Sequence, residues 1–238
     1  MRVASLLWLA CCACACAGCG AADEPASGPA CASCATPDGA ADATDAASDV
    51  ASGPSPWATS VVSFTPGSDA GFGQSTMPAV VLGPPQGAGR CQGSLDVVAL
   101  GDGGEIVLAM GQTIVDAPGV DFVVFENAFV AGCGADDALA FAEPAEVAVS
   151  EDGVAFTAFP CTATAYPFGQ CAGWHPVLAK GAASAPLDPA TSGGDPFDLA
   201  DLGLARARYV RIRDVRSGRG AAPSAGFDLD AIGVVHGG

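Results

Sequence analysis

Short runs of β-branched and large apolar residues, each closed by glycine or proline, limit what this chain can build. Residues 95–100 (LDVVAL) and 105–110 (EIVLAM) flank Gly101-Asp-Gly-Gly104, a loop able to take positive φ, so the pair predicts a hairpin. Residues 121–126 (DFVVFE) predict a strand buried on both faces. Residues 146–150 (EVAVS) and 154–159 (VAFTAF) flank Glu151-Asp-Gly153, a second hairpin signal, and residues 209–215 and 227–235 complete the set. No stretch sustains a helical period over twelve residues or more. One short helix is predicted over residues 195–203, with Asp195 as N-cap, Pro196 at the first helical position, Asp198 in the first turn and Gly203 as the stop. Many short strands with turn-rich connections predict an all-β fold, an antiparallel jelly-roll β-sandwich with one short helix.

A different chemistry governs the first quarter of the chain. Arg2 is followed by an unbroken run of apolar and small residues, the pattern of a secretory signal peptide over residues 1–18. The run is at the short edge for a membrane span and no basic stop follows it. Its exit, Ala17-Gly18-Cys19, resembles the bacterial lipobox, which implies lipidation of Cys19; Cys16 stands where an aliphatic residue is usual, which leaves Cys16 or Cys14 as alternatives. Two or more acyl chains give stable anchoring. Gly20 follows, with no aspartate to hold a lipoprotein at the inner membrane, so the expected address is the outer membrane or cell surface of a Gram-negative bacterium. Residues 19–56 are rich in Ala, Ser, Gly, Pro and Asp and hold no aromatic or aliphatic cluster, so they predict a disordered acidic linker. The sandwich is expected over residues 57–238.

The chain of 238 residues carries 26 acidic and 9 basic side chains, a formal charge of −17, which argues against nucleic acid as a partner. Six of the basic residues fall between Arg206 and Arg219, so charge is segregated. Beyond Cys19 six cysteines remain, Cys31, Cys34, Cys91, Cys133, Cys161 and Cys171, an even number that suggests disulfides in an exported chain. Six cysteines allow fifteen pairings. Sequence does not choose among them; one candidate set is 31–34, 91–133 and 161–171, the last because both cysteines flank one loop. Zinc ligand spacing does not recur among them.

Residues 147–156 (VAVSEDGVAF) and 207–212 (ARYVRI) resemble a strand–turn–strand and a late core strand of the galactose-binding-like, or discoidin-like, jelly-roll superfamily. GFGQ at 71–74, VLGPP at 81–85, GSLDV at 93–97, FEN at 125–127, GGDPFDL at 193–199 and GFDLDAI at 226–232 together resemble a group of bacterial cell-surface proteins, some ending in PEP-CTERM sorting signals. That resemblance implies location and fold, and the family brings no activity to carry over. The discoidin-like likeness also makes a structural calcium admissible.

Acids supply the first candidate site. Strand alternation puts Asp228 and Asp230 on one face about 7 Å apart, while Glu126 ends an otherwise buried strand with Asn127 beside it. A buried carboxylate is costly unless paired or metal-bound. Calcium accepts such oxygen ligands without histidine, so Glu126, Asn127, Asp228 and Asp230 are candidate calcium ligands. The competing expectation pairs them with Arg206, Arg208, Arg211 or Arg213, or leaves them in water. Asp195 and Asp198 are expected to cap the helix. Trp174, in a loop with His175 and Pro176, is a candidate platform for a sugar, and Tyr209, Arg211 and Arg213 form a basic strip that could receive an acidic partner or neutralise nearby acids. Catalysis is not expected: His175 and His236 are the only histidines, Gly-x-Ser-x-Gly is absent, and no acid pair stands out for a glycosidase. The expected role is non-catalytic, binding carbohydrate or another envelope component. A structural envelope protein without a dedicated ligand is the alternative, and a carbohydrate-active hydrolase the weaker one.

Overall fold

Alternation of β-branched and small residues is realised as eleven strands among the residues described by the computed structural model, namely 54–136, 140–162, 164–181, 187–216 and 218–238. The expected signal peptide, Cys19 and the Cys31–Cys34 pair lie outside the described residues. The strands are β1 (Ala58–Thr65), β2 (Val98–Ala99), β3 (Glu105–Val115), β4 (Phe122–Glu126), β5 (Phe129–Val130), β6 (Ala140–Phe141), β7 (Ala145–Ser150), β8 (Thr157–Ala158), β9 (Asp195–Phe197), β10 (Arg206–Asp214) and β11 (Asp228–Val234). A four-residue helix, α1 (Pro189–Ser192), precedes β9.

All the pairings are antiparallel. One sheet has the order β1-β3-β10-β7-β8, a second β2-β11-β4-β9, and β5 and β6 form a small separate ribbon. Ile106, Leu108, Val147, Val149, Val210 and Ile212 of the first sheet share one buried cluster with Phe122, Val124, Leu229 and Ile232 of the second. Phe197 stacks on Phe122 at 5.2 Å between ring centroids and meets Phe159 at 4.8 Å. The fold is thus an all-β, antiparallel sandwich. The second sheet is also covered on its other face, where Val123, Phe125 and Ala231 pack with Trp57, Val177 and Leu187. Two dry faces explain why 121–126 is apolar without alternation.

The structure corrects two local expectations. β2 and β3 do not form a hairpin: β2 pairs with β11 and β3 with β1 and β10. Gly101, at φ 79°, instead takes the chain from one sheet to the other. No helix begins at Asp195. Residues 195–197 are an edge strand on β4, and the helical turn is a 3₁₀ segment, Leu199–Leu202. Its N-cap is Asp198, whose side chain accepts from the Ala200 N–H, and Gly203 closes it in the left-handed region. Among the described residues the one α-helix starts after Asp188, which caps Ala190, with Pro189 in the first turn. The second expected hairpin does form, as β7–β8.

Cys91 is bonded to Cys133 and Cys161 to Cys171. The second bond closes a loop with a sequence separation of 10. On chain-entropy grounds, replacing both Cys161 and Cys171 by alanine is expected to cost roughly 2–3 kcal/mol. Urea unfolding reads this directly, and a loss under 0.5 kcal/mol would mean that the loop is held by its other contacts.

A candidate cation site at one end of the sandwich

Among the described residues seven carboxylates are buried: Asp121, Glu126, Glu143, Asp195, Asp214, Asp228 and Asp230. Four of them are met by donors. Asp121 accepts from the N–H groups of Ala117 at 3.1 Å and Leu199 at 2.8 Å and pairs with His236 Nδ1 at 3.0 Å. Asp214 accepts from the N–H groups of Gly103, Arg216 and Phe227 at 2.8, 2.7 and 3.1 Å. Asp195 accepts from Gly173 N–H at 2.7 Å and pairs with His175 Nδ1 at 2.7 Å. Both oxygens of Asp230 receive the Gln86 N–H at 3.0 Å. Each of these ties a loop to the sheet.

The other three differ. Glu126 is the last residue of β4, Asp228 the first of β11, and Leu229 pairs with Glu126 across the ladder. Glu143 lies between β6 and β7. They are 2%, 5% and 1% exposed. Glu126 Oε2, Glu143 Oε1 and Asp228 Oδ1 are buried without a hydrogen-bond partner, and so is Asn127 Oδ1. The Asn127 amide donates Nδ2 to Asp228 Oδ2 at 3.3 Å, which fixes its oxygen as the orphan. Two glycines keep the backbone close: a Cβ at Gly93 would collide with Asn127 Oδ1, and one at Gly220 would lie 2.6 Å from Glu143 Oε1.

The electrostatics confirm that these groups share one region. Burial, then repulsion from Asp228, Glu143 and Asp195, holds the Glu126 carboxyl well above its usual range. Burial pushes Glu143 up to about 8, with Asp228 and Asp214 adding to it and the Arg219 guanidinium opposing. Asp228 is raised to about 7 by burial against the Asn127 hydrogen bond. Leaving four buried oxygens without donors costs several kcal/mol in total, at about 1–3 kcal/mol each. A hard cation removes that cost, because carboxylate and amide oxygens are its preferred ligands. Glu126, Asn127, Glu143 and Asp228 offer oxygens of that kind.

The structure separates Asp230 from this group. β11 carries a register shift between Leu229 and Ala231, and Asp230 is satisfied by Gln86 instead. Burial lifts its carboxyl to about 7, with Asp96 as its acidic neighbour. Glu143 takes the place expected of Asp230. Its signal was faint: a lone acid in Ala142-Glu-Pro144, ahead of a strand. A second acid group, Asp116, Asp121 and Asp198, has carboxylate oxygens within 4.8 Å of one another. There Asp121 already has its donors, Asp198 caps a turn and Asp116 is exposed. Its carboxylates are not among the buried oxygens without a partner.

Asp195 is the buried partner of His175, not a helix cap. Burial raises its carboxyl while the His175 hydrogen bond opposes the rise. Trp174 donates Nε1 to the Cys171 carbonyl at 2.8 Å and packs edge-on against Tyr166 and Phe168, so much of its ring is a wall of the loop. The expected basic strip is largely neutralised. Arg213 donates Nε to Glu105 Oε2 at 2.8 Å; Arg211 lies 3.6 Å from Glu146 and 3.8 Å from Glu105, over the Phe156 ring. Tyr209 lies beside Gly153. These are partly exposed ion pairs, so Glu105→Gln is expected to cost under about 1 kcal/mol. A loss above 2 kcal/mol by urea titration would show that the strip is a structural network.

No protein-family model matches the sequence, and no curated protein matches it.

Proposed function

We propose that this chain is an exported, lipid-anchored β-sandwich that binds a divalent cation of the calcium type at one end and serves as a non-catalytic module for carbohydrate or another envelope component. The observation that carries the cation is the set of unpartnered, buried oxygens on Glu126, Asn127, Glu143 and Asp228. Bound there, calcium would add positive charge beside that of Arg219 and would join the ends of β4 and β11 to the β6–β7 connection. The anchor rests on the lipobox-like exit at Cys19, and the jelly-roll connectivity on the resemblance of 147–156 and 207–212.

Equilibrium dialysis of the full mature chain against calcium tests the site. One tightly held ion is expected, lost in Glu143→Gln and retained in Asp116→Asn. Failure to bind below millimolar calcium, or loss in Asp116→Asn alone, would reject this assignment. Labelling with palmitate in the exporting cell, absent after Cys19→Ala, tests the anchor.

A further inference from the structure

The loops that follow β1 and β2 and the chain leaving β10 border a cleft of about 450 Å³, lined by Pro66, Gly67, Ser68, Asp102, Gly103 and Arg216. It holds one acid and one base that do not pair. Among the described residues neither Asp102 nor the Arg216 guanidinium makes an ion pair. Asp102 Oδ1 is buried without a hydrogen-bond partner, which leaves Oδ2 as the oxygen available to a ligand. We propose that this cleft binds a neutral saccharide, with two adjacent hydroxyls bridging Asp102 and Arg216.

Both side chains are placed before a ligand arrives. Arg216 is a non-glycine residue in the left-handed region, at φ 55°. That conformation is uncommon for a long side chain and, where the surrounding structure enforces it, points to a functional position. Here the buried Asp214 enforces it: its Oδ2 accepts the Arg216 N–H at 2.7 Å and the Gly103 N–H at 2.8 Å, tying two walls of the cleft together. The guanidinium lies against Gly103, where a Cβ would be 2.3 Å from Nε. Asp102 is fixed by its own N–H, which donates to the Ser68 carbonyl at 2.9 Å.

The chemistry of the lining selects the ligand. An anion that reaches Arg216 meets the Asp102 carboxylate, and a cation that reaches Asp102 meets the guanidinium. An ionised carboxylate only accepts hydrogen bonds and a guanidinium only donates them. A hydroxyl does both, so adjacent hydroxyls donate to Asp102 and accept from Arg216 while bringing in no charge. The exposed Ser68 adds a third polar side chain. Pro66 is the one apolar side chain of the lining, which leaves little to hold a bare carbon skeleton.

The inference rests on the carbohydrate reading above and does not use the cation, since none of Glu126, Asn127, Glu143 and Asp228 lines the cleft. Calorimetric titration of the full mature chain with methyl glucoside, methyl galactoside and methyl mannoside, and with glycine and acetate, is the test. At least one glycoside is expected to bind saturably, tenfold or more tighter than glycine or acetate. Arg216→Gln and Asp102→Ala are each expected to weaken it tenfold or more. Ser68→Phe separates this from misfolding: Ser68 is exposed, so the ring fills the cleft and is expected to abolish binding with an unchanged melting midpoint. Full affinity in Arg216→Gln and Ser68→Phe would overturn the cleft and leave the carbohydrate reading standing. No saturable glycoside binding to the parent would overturn both. Glycine or acetate binding as tightly as the glycosides would overturn the saccharide as the ligand.

Discussion

Calcium at a thousandfold excess over its dissociation constant is expected to raise the melting midpoint of the mature chain by on the order of 10 °C relative to chelator. Such an excess stabilises by about 4.1 kcal/mol, and each kcal/mol moves a domain of this size by roughly 2–4 °C. The variant Glu126→Gln gives this prediction its sign test. In chelator, Glu126 is a buried acid facing Asp228, Glu143 and Asp195. An amide there removes the repulsion, so the variant should melt at the same temperature as the parent or higher. In calcium the order reverses, because the variant has lost a charged ligand and gains little from the ion. A merely structural glutamate would make the variant less stable in both buffers. An unchanged midpoint in the parent sinks the cation site and leaves Glu126, Glu143 and Asp228 as protonated core acids.

Raising the pH is the second large effect. With calcium chelated, stability is expected to fall by on the order of several kcal/mol between about pH 4 and pH 8 and then level off. In the unfolded chain these carboxyls lose their protons near pH 4. In the folded chain Glu143 keeps its proton to about 8, and Asp228 and Asp230 keep theirs to about 7. The folded state therefore binds more protons throughout that window, so stability declines as pH rises. Saturating calcium should flatten the decline, since the ion replaces protons on Glu143 and Asp228; the part due to Asp230 should remain. Urea titrations at pH 5, 6.5 and 8, with and without calcium, measure this. A chelated protein that gains stability from pH 5 to 8 contradicts the upward shift that burial gives these acids.

The two predictions depend on information of different origin. Glu126, Asn127 and Asp228 could be picked out by sequence because each breaks a local pattern: polar residues at the ends of strands that are otherwise apolar. Asp230 breaks the same pattern and was grouped with them, since regular alternation puts Asp228 and Asp230 on one face. The register shift in β11 undoes that alternation, and bulges leave little trace in a single strand's sequence. Glu143 and the His175–Asp195 pair were illegible for another reason. Their partners lie on other elements, 20 residues away for His175 and Asp195 and as far as Asp228 for Glu143, and an acid in a connection looks like any solvated acid.

The supposed helix at Asp195 shows how local signals mislead. An aspartate, a proline and a later glycine satisfy the rules for a helix start and stop, and one turn of 3₁₀ helix does form between Asp198 and Gly203. Three residues earlier, β4 offers a free edge, and pairing with it outweighs the weak preference of a short helix. The hairpin predicted across Gly101 failed similarly: flexible glycine permits a reversal but equally permits a crossing between sheets.

By itself the sequence determined the class of fold and the positions of most long strands, because period and turn residues are local and additive; the two disulfides are read from the structure. Tertiary structure decided which sheet each strand joined, which acids received donors and which were left facing one another, and that His175 pairs with the buried Asp195. Those outcomes depend on contacts between distant residues, where burial raises an ordinary carboxyl and one register shift separates Asp230 from Asp228.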